Sequence, residues 1–122
     1  MPYRINELGH IVHVKTGPTV SHDERCEIVG ELTDRCLRDH VLIIDHMNSR
    51  IESELVETAA FGRLVAKLAE RNPGIGIYIA ASEDNRRHVD IPAEMVHRKG
   101  VPVRVFESMQ ELATKVAAGP MG

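Results

Sequence analysis

The sequence predicts an α/β fold of order ββαβαβαβα: one domain with a five-stranded, mixed but mostly parallel sheet packed by four helices. Three observations carry this. Short β-branched runs around Val41-Leu42-Ile43-Ile44, Ile75 to Ile79 and Val101 to Val105 are separated by longer stretches whose apolar residues recur every three or four positions. Strands that alternate with helices pair in parallel through right-handed crossovers. The first two strands are instead separated only by Gly9-His10, so they form an antiparallel hairpin at an edge of the sheet.

The hairpin is read over residues 3–8 and 11–15, where Tyr3/Ile5 and Val12/Val14 alternate with polar neighbours. Thr16-Gly17-Pro18-Thr19-Val20 breaks the pattern, and Ser21 with Glu24 three residues later is a capping box that starts a helix near His22. Its stripe reads Cys26, Val29, Leu32 and Cys36, with Ile28 beside it. The unalternating run Val41-Leu42-Ile43-Ile44 is a central strand covered on both faces, and it ends on Asp45. A second helix runs from Ser53 or Glu54 to Arg71, with a stripe of Val56, Ala60, Leu64 and Leu68 flanked by Phe61 and Val65, and Asn72-Pro73-Gly74 stops it. Ile75, Ile77 and Ile79 form the next core strand, followed by a polar loop from Ser82 to His88. A third helix is expected over 90–99, capped by Asp90, with Pro92 in its first turn and Gly100 at its end. Val101, Val103 and Val105 make the last strand. Ser108 with Glu111 opens the final helix, and residues 119–122 read as a loose tail behind a domain of residues 1–118.

Composition narrows the function. A net charge of −3 with mixed signs provides no basic patch, so nucleic acid is not an expected partner. The longest apolar runs are four or five residues against the ~20 needed to span a bilayer, and the first residues lack a signal-peptide core, which points to the cytoplasm. Cys26 and Cys36 lie ten residues apart in one predicted helix, about 15 Å along its axis. No disulfide closes that gap, so both are read as thiols, Cys36 on the buried stripe. The seven histidines show neither H-x-x-x-H nor paired Cys/His spacing, and no metal or cofactor is expected.

The carboxyl end of the central strand is where a parallel sheet places ligands and docking loops. Asp45-His46 with Ser49, Ser53 and Ser82 contains the residue types of a triad, yet no G-x-S-x-G elbow presents a serine. Gly74-Ile75-Gly76 precedes a strand, whereas a phosphate loop follows one. The reading is therefore noncatalytic: a recognition corner of Asp45, His46, Asn48, Ser49, Glu52, Ser53 and Glu54, joined by Ser82 and Arg86 from the neighbouring loop. Asp45 holds the turn or caps the next helix, His46 is solvated, and Ser53 starts the second helix.

Tyr3-Arg4-Ile5, the Thr16-Gly17-Pro18-Thr19 turn, Ile44-Asp45, Ile77-Tyr78-Ile79-Ala80 and the segment Val103 to Leu112 follow one another in an order and spacing that resemble the SpoIIAA-like group of the STAS domain. The wider fold of that group is shared with the CRAL-TRIO lipid-binding domains. The resemblance implies a regulatory module of the anti-sigma-factor antagonist type, acting by contact with another protein such as a kinase-like ATPase. In that family a D-S-S-G-like motif opening the second helix carries a phosphorylated serine. Here Glu52 stands in the place of its aspartate and Ser53 becomes the candidate phosphoacceptor, while the second serine and the glycine are absent. The CRAL-TRIO relationship implies the alternative, a small apolar or lipid-like ligand between the second and third helices and the sheet. Open edge strands are also compatible with a homodimer.

Overall fold

The computed structural model describes residues 3–118. Its main sheet has the order β1-β2-β4-β6-β7. β1 (Tyr3–Leu8) and β2 (Ile11–Thr16) form the expected antiparallel hairpin, which turns at Gly9 with φ +58°. β2, β4 (Val41–His46), β6 (Gly76–Ala81) and β7 (Val103–Phe106) are mutually parallel. The helices are α1 (His22–Thr33), α2 (Leu55–Glu70), α3 (Arg86–His97) and α4 (Met109–Ala117). The expected α/β architecture is thus present, with mixed pairing confined to the β1 edge.

The two faces of the sheet are unequally covered. Val12, Val14, Leu42, Ile77 and Ile79 point into a large core shared with α1, α2 and α3. Ile43, Tyr78 and Ala80 point to the other face, where they meet Leu112 of α4 in a smaller cluster. The unalternating β4 sequence reflects this: Leu42 and Ile43 bury opposite sides of one strand, at 1% and 9% exposure.

Ser21 and Ser108 cap their helices as the sequence suggests, accepting the N–H groups of Glu24 (3.2 Å) and Glu111 (3.1 Å). Four readings need correction. α1 stops at Thr33, so Cys36 lies beyond it and is exposed. The chain leaves the helix there to bury Leu37, whose N–H donates to the Asn72 side chain at 2.9 Å. The stripe of α2 is rotated: Phe61, Val65, Leu68 and Ala69 face inward, while Val56 and Leu64 are 71% and 38% exposed. Small residues decide this orientation. A Cβ at Gly62 would come within 3.1 Å of Pro92 Cα, so α2 must present Gly62 for α3 to pack this closely.

α3 begins at Arg86, four residues before the expected Asp90, directly after a 3₁₀ turn over Glu83–Asn85. Pro92 therefore sits inside the helix, where it has no N–H to donate to the carbonyl of His88. Finally, β3 (Thr19–Ser21) and β5 (Arg50–Glu52) pair in parallel as a separate two-stranded ribbon across segments the sequence reads as turns. With three residues per strand, such a pair has too little periodicity to be read locally. The loose-tail reading of residues 119–122 lies outside the described residues. Among those residues, no helix is long and apolar enough to cross a membrane.

Candidate functional site

At the carboxyl end of β4, alternation sends Asp45 and His46 to opposite faces. Asp45 holds its own turn, its carboxylate accepting the N–H of Met47 at 3.0 Å. That agrees with the turn-holding role. His46, however, is buried instead of solvated, because β4 extends through it and carries it under the three-helix layer.

His46 belongs to a chain of small polar groups. Its Nδ1 lies 2.9 Å from Thr16 Oγ1, which is 2.5 Å from Ser49 Oγ and 3.1 Å from the carbonyl of Asp45. Ser49 Oγ is 2.6 Å from the carbonyl of Gly17. If Ser49 donates to Gly17 and Thr16 donates to Ser49 or Asp45, His46 Nδ1 must carry the proton given to Thr16. Nε2 then keeps a lone pair. Burial, reinforced by the Arg25 charge, lowers the His46 pKa from 6.5 to about 3.

That shift predicts a pH dependence. The unfolded chain protonates His46 near pH 6.5, whereas the folded chain resists protonation down to about pH 3. The contribution is complete above pH 6.5 and is lost as pH falls, amounting to about 2 kcal/mol by pH 5. Urea unfolding of the wild type and of His46→Gln at pH 7, 6 and 5 checks it. The variant should show the shallower acid dependence, and equal slopes would refute a neutral buried imidazole.

Asn85 fastens this corner to the next crossover. Its Oδ1 accepts the N–H of Ile51 at 3.0 Å, and its Nδ2 donates to the carbonyl of Ser49 at 2.8 Å and lies 3.3 Å from Ser82 Oγ. The β5 ribbon, the turn after β4 and the loop after β6 are thereby held by one side chain that is 2% exposed.

A second polar cluster lies under the start of α2. Thr58, fully buried, places Oγ1 2.7 Å from His88 Nδ1 and 3.4 Å from Ser53 Oγ. Arg25 of α1 reaches it from below, Nη1 donating to Thr58 Oγ1 at 3.4 Å and Nη2 to the carbonyl of His88 at 2.8 Å. This is the carbonyl that Pro92 leaves without a helical partner, so the guanidinium supplies the missing donor. Arg25 also lies over the Phe61 ring, 3.9 Å from its centroid. Burial lowers its pKa to about 10, which leaves it charged at neutral pH.

Of the residues expected to form the corner, His46, Ser49 and Ser82 meet through Thr16 and Asn85, and Ser53 meets Thr58. Asn48, Glu52 and Glu54 are exposed around them. Ser53 does not cap α2. Glu54 occupies that position, its N–H donating to the Glu57 carboxylate at 2.9 Å, because the ribbon carries the chain one residue further before it turns helical. Arg86 is held by Asp90 (3.2 Å) and Glu107 (3.7 Å) and makes no bond to the corner.

Arg25, Thr16, Thr58 and Asn85 escaped the sequence reading. One signal for Arg25 exists: it continues the Ile28, Val29, Leu32 stripe one turn toward the N-terminus, next to the Cys26 of the expected stripe. Beside Arg25 and His46, a cavity of about 40 Å³ is bounded by side chains of α1, α2, α3 and the sheet, Phe61, Val65 and Val96 among them. It occupies the region where a CRAL-TRIO-like ligand is expected. Among the described residues no three His, Cys, Asp or Glu side chains converge to hold a metal ion. The chain matches no protein-family model and no curated protein.

Proposed function

We propose that this is a noncatalytic recognition module of the STAS type, in which the first turn of α2 and the neighbouring β5 strand dock another protein. One observation carries the reading: Leu55 and Val56 are 47% and 71% exposed in the turn that follows Ser53. Two consecutive large apolar side chains are open to solvent there, and Glu52 and Glu54 place carboxylates beside them. The matching surface is apolar at its centre with basic side chains at its rim. Phosphorylation of Ser53 by a kinase-like ATPase would add about two negative charges beside that surface and so change its fit.

Affinity capture compares the wild type with Val56→Asp and with Arg104→Glu, a control on the exposed side of β7. A protein partner, a kinase-like ATPase foremost, should be retained by the wild type and the control and fall about tenfold or more on Val56→Asp, without a change in melting temperature. An unchanged set of captured proteins would remove this reading. Phosphorylation of the wild type but not Ser53→Ala by the captured kinase checks the switch. If the wild type and the control instead elute as dimers and Val56→Asp as a monomer, the surface joins copies of this chain.

A small apolar ligand is the second reading, supported by the position and lining of the cavity under α2 and α3. Its 40 Å³ is well below the ~150 Å³ that accommodates benzene, so a lipid chain would require the two helices to part. Native mass spectrometry that finds only the apoprotein would count against a lipid.

A further inference from the structure

The Arg25 guanidinium is a buried cation with unused capacity. It has five N–H donors; one meets the His88 carbonyl, one makes a long contact to Thr58, and Nε has no partner. No carboxylate among the described residues pairs with it. A side chain 2% exposed cannot recover the loss from bulk water, and an uncompensated charge there is strongly unfavourable. The two neighbouring imidazoles do not help, since neither His46 nor His88 can supply negative charge. Apart from Arg25 and the neutral His46 ring, the cavity is lined by apolar side chains, so a charge placed in it interacts at low dielectric.

From this geometry we infer that the cavity is a binding site for a small organic monoanion, a carboxylate whose head pairs with Arg25 and whose short alkyl end rests on Phe61, Val65 and Val96. Its single cation suits one negative charge and offers too few donors to solvate a phosphate. The apolar walls favour an alkyl carboxylate over a spherical inorganic ion. The volume of about 40 Å³ limits the guest to about three or four non-hydrogen atoms, the size of formate or acetate, given that one water needs about 10–15 Å³ of such space. The site is separate from the Leu55/Val56 surface and does not depend on its docking a protein.

The test follows the Arg25 Nε–H resonance of the intact protein by ¹⁵N NMR while sodium formate or acetate is added at constant ionic strength, with sodium chloride as control. One or more of the carboxylates should shift that resonance saturably and raise Tm by about 10 °C at about 100 times its Kd. Chloride should do neither, and Ala93→Leu, which fills the cavity while retaining Arg25, should abolish the response. No saturable shift, an equal response to chloride, or full binding by Ala93→Leu would overturn the assignment. The wild-type titration decides the matter alone if the filled variant does not fold.

Discussion

Replacing Arg25 with alanine should destabilise the domain by about 3 kcal/mol, measured by urea unfolding at pH 7. Three losses add up. The stacked guanidinium leaves the Phe61 ring, the buried side-chain volume is vacated, and the His88 carbonyl loses its donor inside α3. Relief from burying a charge without a carboxylate partner works in the other direction, which keeps the figure below that of a full core truncation with an orphaned polar group. The carbonyl contribution can be isolated, because its cause is Pro92. In a Pro92→Ala background, the restored N–H at position 92 can bond the His88 carbonyl within the helix. Arg25→Ala should then cost about 1 kcal/mol less than in the wild type. Strict additivity of the two substitutions would mean that Arg25 does not compensate for the proline.

Asn85→Ala is the second large effect, also about 3 kcal/mol. Asn85 gives and accepts hydrogen bonds at two backbone groups belonging to the turn after β4 and to β5, the Ser49 carbonyl and the Ile51 N–H. Its removal leaves both without their side-chain partner at a site only 2% exposed, at about 1–3 kcal/mol each. Asn85→Asp separates the two contributions, since a carboxylate still accepts from Ile51 but no longer donates to Ser49. Hydrogen exchange should show the loss first at Ile51, before the β4 and β6 amides. If Ile51 stays as protected in Asn85→Ala as in the wild type, the β3/β5 ribbon is held by something other than this side chain.

Reading the site from sequence reached as far as its chemistry is local. Asp45 could be placed because a carboxylate after an apolar strand holds the next turn through its own backbone neighbours. Ser21 and Ser108 were legible for the same reason, acceptor and donor lying three residues apart. His46 was misread, since nothing in its immediate neighbours shows that Thr16, thirty residues earlier, meets its ring. The third helix was misplaced because Asp90-Ile91-Pro92 imitates a helix start, and the donor that allows a proline deeper in the helix comes from Arg25. The α2 stripe is rotated from the expected one because Gly62 carries no hydrophobic signal, although α3 packs over it with no room for a side chain.

Periodicity and turn chemistry alone therefore decide the α/β class, the chain order of the five main-sheet strands and the Ser21 and Ser108 caps, since each depends on residues within one or two turns of each other. Whether His46 is solvated or buried, whether Arg25 faces water or the core, and which side of α2 remains open are settled only when distant segments meet. Burial and hydrogen-bond satisfaction are properties of that meeting: Thr16, Thr58 and Asn85 acquire their roles from partners thirty or more residues away. The stretch from Asp45 to Glu54 is thus singled out by its own sequence, while the exposure of Leu55 and Val56 and the cavity beside Arg25 exist only in the folded chain.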